Sequence, residues 1–335
     1  MRYIQLFLFF CLLGCKSEKK SDLKSIELAN NEIKIQSEEL KEIVTYLASD
    51  ELKGRDTNTE GIDKAAIFIE QKFKDFGVSP YFDSYRDHFE FEITSRDSTS
   101  PQASITKKGY NLIGYIEGND EVLKNEFIII GAHYDHIGFI DAVENDSIAN
   151  GANDNAAGSS AVISLARYYS KRKTNKRSIL FCLFSAEELG LKGSQHLAKK
   201  LKSMDLNLYV MLNFEMIGVP MKGDTYKAYV TGYERSNMAE EINQYLGSDL
   251  IGFFPLAKKY RLFRRSDNHP FFEEFGVPAQ TICTFDFTNF DYYHKVGDEA
   301  DLMDYDFMAD LINKLAPAID TMATTTTKEI KLNDG

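Results

Sequence analysis

Three apolar runs constrain this chain more than any other feature: FIII at 127–130, ILFCLF at 179–184 and YVML at 209–212. None alternates apolar with polar residues, so each reads as a strand buried on both faces, as in a parallel sheet covered by helices. From Tyr110 onward strand-like and helix-like stretches alternate: NLIGYIEG, EFIIIGAHY, SSAVISLARYYSK, SILFCLFSA, GSQHLAKKLK, LYVMLNFEMIG, KAYVTGY and MAEEINQYLG. That alternation predicts an α/β fold, a single mainly parallel (mixed) twisted β-sheet flanked by helices on both faces. Ahead of it EELKEIVTYLASDEL and IDKAAIFIEQKFKDFG predict amphipathic helices, followed by a β-rich YFDSYRDHFEFEIT and a polar loop near 95–108. A helix over HPFFEEFG, a strand over AQTICTF, a loop carrying His294 and a last helix around 304–322 complete the domain. TTTTKEIKLNDG reads as a frayed tail.

The chemistry sits where those runs stop. His133, Asp135 and His136 follow FIIIGA, Glu187 and Glu188 follow ILFCLFSA, and Glu215 follows VMLNF. Asp154 lies in a Gly/Asn-rich turn opening a helix, and His294 lies in DYYHKVGD at 291–298. Functional groups in open α/β sheets collect beyond the carboxyl ends of the strands. One acidic residue at one strand end is ordinary loop polarity; several strand ends together point to a shared site. Imidazoles mixed with carboxylates suit zinc, whereas magnesium and calcium prefer oxygen alone. Two histidines and three carboxylates, one of them bridging, would make two zinc sites, a pairing used for hydrolysis.

Charge narrows the partners. A net charge of -12 over 335 residues argues against nucleic acid, which needs concentrated Lys/Arg. The basic run KRKTNKR at 171–177 reads as a solvated turn between a helix and a strand. Cys182 and Cys283 fall in apolar strand-like runs and read as buried free thiols.

These segments resemble the co-catalytic di-zinc aminopeptidase family, whose relatives include glutamate carboxypeptidases and glutaminyl cyclases. The match runs from LASDELKGRDTNTEG to the final helix and implies a zinc-exopeptidase-like domain over 36–325. By that resemblance His133 and Glu215 bind one zinc, Glu188 and His294 the other, and Asp154 bridges them, often before a cis peptide, here Asp154–Asn155. Asp135 would orient the His133 imidazole, and His136 would be a neighbour rather than a ligand. Glu187 would be the general base and Tyr293 would help hold the developing oxyanion. Many relatives have Asp where this chain has Glu215, so the extra methylene must be accommodated. Asp267 either stands behind the ligands or caps the following helix. Gly54 and Arg55 read as structural, His88 and His196 as surface or packing residues. Arg264 and Arg265 either line the cleft or are solvated. Phe253, Phe254, Phe263 and Phe271 read as core, with a specificity pocket as the alternative.

The implied function is a zinc-dependent exopeptidase, an aminopeptidase by preference, acting on peptide substrates through a water activated by two Zn2+ per chain. The alternatives are a single-zinc glutaminyl cyclase and a carboxypeptidase, which would need Arg/Lys for the substrate carboxylate. A non-catalytic binding domain is the remaining class, though no ligand or base residue is missing. At the N-terminus, Arg2 and an apolar stretch from Tyr3 to Leu13 end in LLGC, which resembles the bacterial lipobox. Residues 1–15 would be a signal peptide cleaved before a lipid-bearing Cys15, and 16–35 a polar tether. The protein would then be an exported lipoprotein on an outer-membrane, cell-surface or periplasmic face, monomeric by default.

Overall fold

In the computed structural model residues 33–94, 104–223 and 225–334 are described. Cys15 and nearly all of the tether lie outside the described residues. One compact unit begins at Ile35. Its elements in chain order are α1 (Ser37–Leu47), α2 (Glu60–Phe76), β1 (Ser79–Pro80), β2 (Arg86–Thr94), β3 (Ser104–Ile116) and β4 (Glu126–His133). There follow β5 (Gly138–Val143), β6 (Asp146–Ala149), α3 (Gly158–Arg172), β7 (Ser178–Phe184), α4 (Lys192–Ser203) and β8 (Asn207–Glu215). The chain ends with β9 (Ala228–Val230), α5 (Met238–Leu246), β10 (Ile251–Gly252), α6 (Pro255–Lys259), α7 (Asn268–Phe275), β11 (Ala279–Cys283) and α8 (Tyr305–Thr324).

The main sheet runs β1-β3-β7-β4-β8-β11-β9-β10, with β2 paired to β3. β7, β4, β8 and β11 are mutually parallel, while β3 joins β7 and β9 joins β11 in antiparallel fashion. The unalternating apolar runs form its centre, every residue of β7 being buried. Side chains alternate between faces along a strand, and β7 shows where each set goes. Leu180, Cys182 and Phe184 pack with Leu197 and Leu201 of α4 and Phe271 of α7. Phe181 turns to the opposite face and meets Tyr169 of α3. Helices therefore cover both faces, as the apolar patterning requires.

Three local expectations are corrected. The loop expected near 95–108 gives way to strand from Ser104, because β3 pairs with β2 from Leu112 back to that residue. A separate hairpin, β5–β6, fills 138–149 between two of the ligand segments. Its turn residues Glu144 and Asn145 have φ of 51° and 73°, the left-handed geometry of a tight hairpin. Finally, the segment after α8 is docked rather than frayed. Ile330 is buried, its N–H donates to the Tyr209 hydroxyl at 3.0 Å, and Asn237 N–H donates to the Lys331 carbonyl. Among the described residues no helix is long and apolar enough to cross a membrane.

Candidate metal centre

Parallel pairing sets the ends of β7, β4 and β8 side by side, with His133 opposite Phe184 and Gly131 opposite Asn213. His133 and Glu215 are therefore the last residues of adjacent strands, and Glu187–Glu188 begin the turn after the third. Asp154 enters from the turn Ala152–Ala157 before α3, through a cis Asp154–Asn155 peptide. His294 enters from the loop after β11. Ala186, Met216 and His294 have φ of 56°, 48° and 56°, costly for residues bearing a Cβ. They stand immediately before Glu187, immediately after Glu215 and at a candidate ligand itself. Such strained positions collect where the backbone must aim functional groups.

Asp154 is the hub. Its Oδ1 lies 3.3 Å from His133 Nε2 and its Oδ2 lies 3.2 Å from His294 Nε2. His294 Nε2 is also 3.1 Å from Glu188 Oε2. Candidate ligand atoms of His133, Asp154 and Glu215 all lie within 4.8 Å of one another, as do those of His133, Glu187 and Glu188 and of His136, Asp154 and Glu188. His133 Nε2 is fully buried yet makes no hydrogen bond, despite its nearness to Asp154. Donors about 2.1 Å from a tetrahedral ion stand roughly 3.4 Å apart, close to the separations seen here. The donor set fits a metal: an orphaned imidazole nitrogen, carboxylates facing it, and spacings that a shared ion would require.

The electrostatics of the protein alone express the same strain. Burial pushes the Glu187 carboxyl well above the usual range; the His133 charge opposes this, while Glu215, Asp267 and Glu188 add to it. Glu215 is pushed to about 7, again by burial, against the pull of His133. Asp154 and Glu188 go the other way. Burial opposes their ionisation, but His133 and His294 hold Asp154 below the carboxylate range, and His136 and His294 lower Glu188 from its usual value. Burial disfavours a charged His294, yet its contacts with Asp154 and Glu188 raise it to about 10. Buried carboxylates gathered this closely favour positive charge among them.

The surrounding residues divide the expectations. Asp135 Oδ1 is 3.7 Å from His133 Nδ1, which sits nearer the Asp135 carbonyl at 3.2 Å. The Asp135 carboxylate also accepts the Glu187 N–H at 3.2 Å and the Thr57 hydroxyl at 3.3 Å, so it anchors the acidic turn as well as facing the imidazole. Asp267 occupies the N-cap position of α7 without capping it. Among the described residues neither of its buried oxygens has a partner at hydrogen-bond geometry, and burial, opposed chiefly by the His133 charge, lifts its carboxyl to about 7. His136 is more than a bystander, its Nδ1 lying 2.8 Å from Glu188 Oε1. Glu215 accommodates its longer side chain by accepting a hydrogen bond from Ser266 Oγ, itself held by Asn213 Nδ2 at 2.8 Å. Tyr293 stacks on the His294 ring at 4.0 Å and on Phe285 at 5.7 Å.

Asp298 and Asn155, which sequence reasoning missed, act through backbone, as does Arg55, whose structural reading holds. The buried Asp298 carboxylate accepts the N–H groups of Asn153 at 2.7 Å and Asp154 at 3.0 Å, fixing the turn that carries the hub. Asn155 Oδ1 accepts from Met216 N and its Nδ2 donates to the Phe214 carbonyl, tying that turn to the end of β8. Arg55, fully buried, donates to the carbonyls of Leu47, Tyr134, Asn150 and Gly151. It thereby joins the segment holding His133 to the one leading into Asp154. Beside it Gly54 admits no side chain, since a Cβ there would stand 2.5 Å from the Ala149 carbonyl. Over the centre opens a cleft of about 510 Å³ with Tyr293, Phe285, Phe287, Leu262, Arg264 and Arg265 in its walls. Both arginines line the cleft.

Comparison with known proteins agrees with this geometry. Residues 111–318 match the family model described as Peptidase family M28. A probable zinc metalloprotease of Pyrenophora tritici-repentis is 32% identical over 107 residues, 32% of this chain and 24% of the relative. The chain spans 22% to 62% of the length of the curated relatives it matches. The aminopeptidase from Aneurinibacillus sp. strain AM-1 superposes with a TM-score of 0.65 at 17% identity, covering 86% of this chain and 94% of that one. Porphyromonas gingivalis glutaminyl cyclase superposes at 0.63 with 15% identity, covering 86% and 98%. These structures are similar in fold.

Proposed function

The chain belongs to peptidase family M28, and from that premise we propose that it is a zinc-dependent aminopeptidase working with two Zn2+ per chain. One observation carries the reading: Asp154 presents one carboxylate oxygen to His133 and the other to His294, as a bridge between two ions would. His133 and Glu215 would hold one zinc and Glu188 and His294 the other. The zinc named in the metalloprotease relative supports that choice of metal, and the imidazole–carboxylate donor set suits it. When bound, zinc supplies the Lewis acidity that makes water acidic and polarises a scissile carbonyl.

The chain's own groups do the rest. Glu187 stands within the cleft beside the ligands. It takes a proton from the attacking water and returns it to the leaving amine. Tyr293, whose hydroxyl burial and nearby carboxylates keep protonated, donates to the oxygen on which negative charge develops. Glu215 and Glu187 offer negative charge to a free α-ammonium, which favours cutting at the N-terminus. Display on a lipid at Cys15 belongs to the same proposal and is supported by the LLGC segment.

The test is metal analysis joined to a substrate panel. The reading expects close to two zinc per chain and chelator-sensitive release of N-terminal residues from aminoacyl chromogenic substrates. One tightly held zinc with cyclisation of N-terminal glutamine would replace it with the glutaminyl cyclase reading.

A further inference from the structure

Arg264 and Arg265 follow one another at the end of the short turn Leu262–Arg264, and both line the cleft over the metal centre. Both are exposed, and among the described residues neither guanidinium has an ion pair, a hydrogen bond or an aromatic ring to rest on. Four other arginines are paired, Arg86 with Glu70, Arg167 with Glu39, Arg172 with Asp320 and Arg177 with Glu126, while Arg235 rests on the rings of Phe263 and Phe272 and the exposed Arg261 stands outside the cleft over the metal centre. In a chain with 51 acidic and 39 basic residues, two adjacent guanidinium groups without an anion stand out. Three carboxylates of the same cleft are already engaged, Glu188 with His136 and His294, Asp154 with His133 and His294, Glu215 with Ser266, and the fourth is Glu187.

The pair is also anchored to the centre. Arg265 precedes Ser266, whose hydroxyl bonds the Glu215 carboxylate, so the Arg265 Cα is one step of about 3.8 Å from that contact residue. An extended peptide advances about 3.3–3.6 Å per residue. A carboxylate within two residues of a scissile bond therefore falls inside a cleft of about 510 Å³. Another part of the wall is apolar, with Tyr293, Phe285 and Phe287 in ring contact at 5.7 and 4.7 Å. The cleft thus offers carboxylates for an ammonium, rings for a side chain and a planar fork for an anion.

We infer that Arg264 and Arg265 bind a carboxylate of the substrate, and that the site favours short peptides carrying one within two residues of the scissile bond. This rests on the aminopeptidase reading and narrows its substrate class. The carboxylate has two sources, the peptide's own C-terminus or an Asp/Glu side chain.

The experiment compares kcat/KM on matched pairs with the zinc-loaded protein: Leu-Ala against Leu-Ala-amide, Leu-Asp-amide against Leu-Asn-amide, and Glu-Ala-amide against Gln-Ala-amide. At least one pair should favour the acid by about tenfold or more in the wild type, and which pair does so identifies the source. The double variant R264A/R265A should bring that ratio towards one, and R264K/R265K should keep only part of it, having charge without the fork. Raising salt should shrink the preference, since both groups are exposed. Ratios near one for all three pairs, or a preference that survives in R264A/R265A, overturn the inference while leaving the peptidase reading intact. Should no peptide be cleaved, calorimetric Kd values for the same pairs decide. An acid preference lost in the double variant upholds the arginine assignment without the peptidase, and equal affinities end both.

Discussion

Replacing Arg55 by methionine tests the idea that one buried cation holds the site's two halves together. Its guanidinium donates to four backbone carbonyls, those of Tyr134 at 2.9 Å, Asn150 at 2.6 Å, Gly151 at 2.9 Å and Leu47. Burial lowers its pKa from 12.5 to about 10, so keeping the charge inside costs about 3 kcal/mol. Charge-assisted hydrogen bonds contribute about 1.5–3 kcal/mol each, so the set returns about 6–12 and the net is favourable by about 3–9. Some carbonyls will find water in the variant, and methionine recovers apolar contact. We therefore expect Arg55→Met to lose about 3–5 kcal/mol, read as a lower urea midpoint of the metal-free protein with an unchanged slope. Arg55→Lys keeps the charge but not the fork and should recover at most half. Zinc affinity should fall in both, because the Asn150 and Gly151 carbonyls lead into Asp154. A loss below about 1 kcal/mol in Arg55→Met would refute the reasoning, since it would mean that the four carbonyls do not depend on the guanidinium.

Three further outcomes follow from the same geometry. Glu187→Gln should lower turnover by about two to four orders of magnitude while zinc content stays at the wild-type level, because it removes a proton carrier and not a ligand; near-native turnover would dismiss Glu187 as the base. Burial would raise the Asp87 carboxyl, but His196 at 3.3 Å and Lys200 at 2.7 Å outweigh it and hold the pKa below its usual 3.8. The stability this contributes is complete above that value and lost as pH falls through the lower folded one. Lys200→Met should therefore cost most near neutrality and progressively less below about pH 4, and a cost independent of pH in urea titrations would contradict the assignment. Cys15→Ser should move the protein from the membrane fraction to the soluble fraction of its host, and unchanged partitioning would rule out the lipid anchor.

Much of the sheet and of the candidate site was legible because both rest on local information. FIII, ILFCLF and YVML state by composition alone that they are buried on both faces, and the acidic and imidazole residues directly after them can only sit at strand ends. Glu215 shows the limit of that logic. The sequence establishes a carboxylate one methylene longer than in many relatives, but the Ser266 hydroxyl that receives it comes from a loop 51 residues away. The β5–β6 hairpin was missed because its pattern is short and mixed, with little beyond the Glu144–Asn145 turn to mark it. The last residues read as a tail because TTTTKEIKLNDG carries only two apolar residues, Ile330 and Leu332, and the pocket of the buried Ile330 is built by distant segments.

What the sequence determined by itself is the class of fold and the kinds of atom available for chemistry, since periodicity and residue type are properties of a short stretch. Only the tertiary structure decided which buried groups meet: Asp298 with the N–H groups of Asn153 and Asp154, Arg55 with Asn150 and Gly151, His136 with Glu188. The physical reason is that a buried polar group must be satisfied by whatever the packed chain brings within about 3 Å. For these residues that partner lies from 52 to 145 positions away.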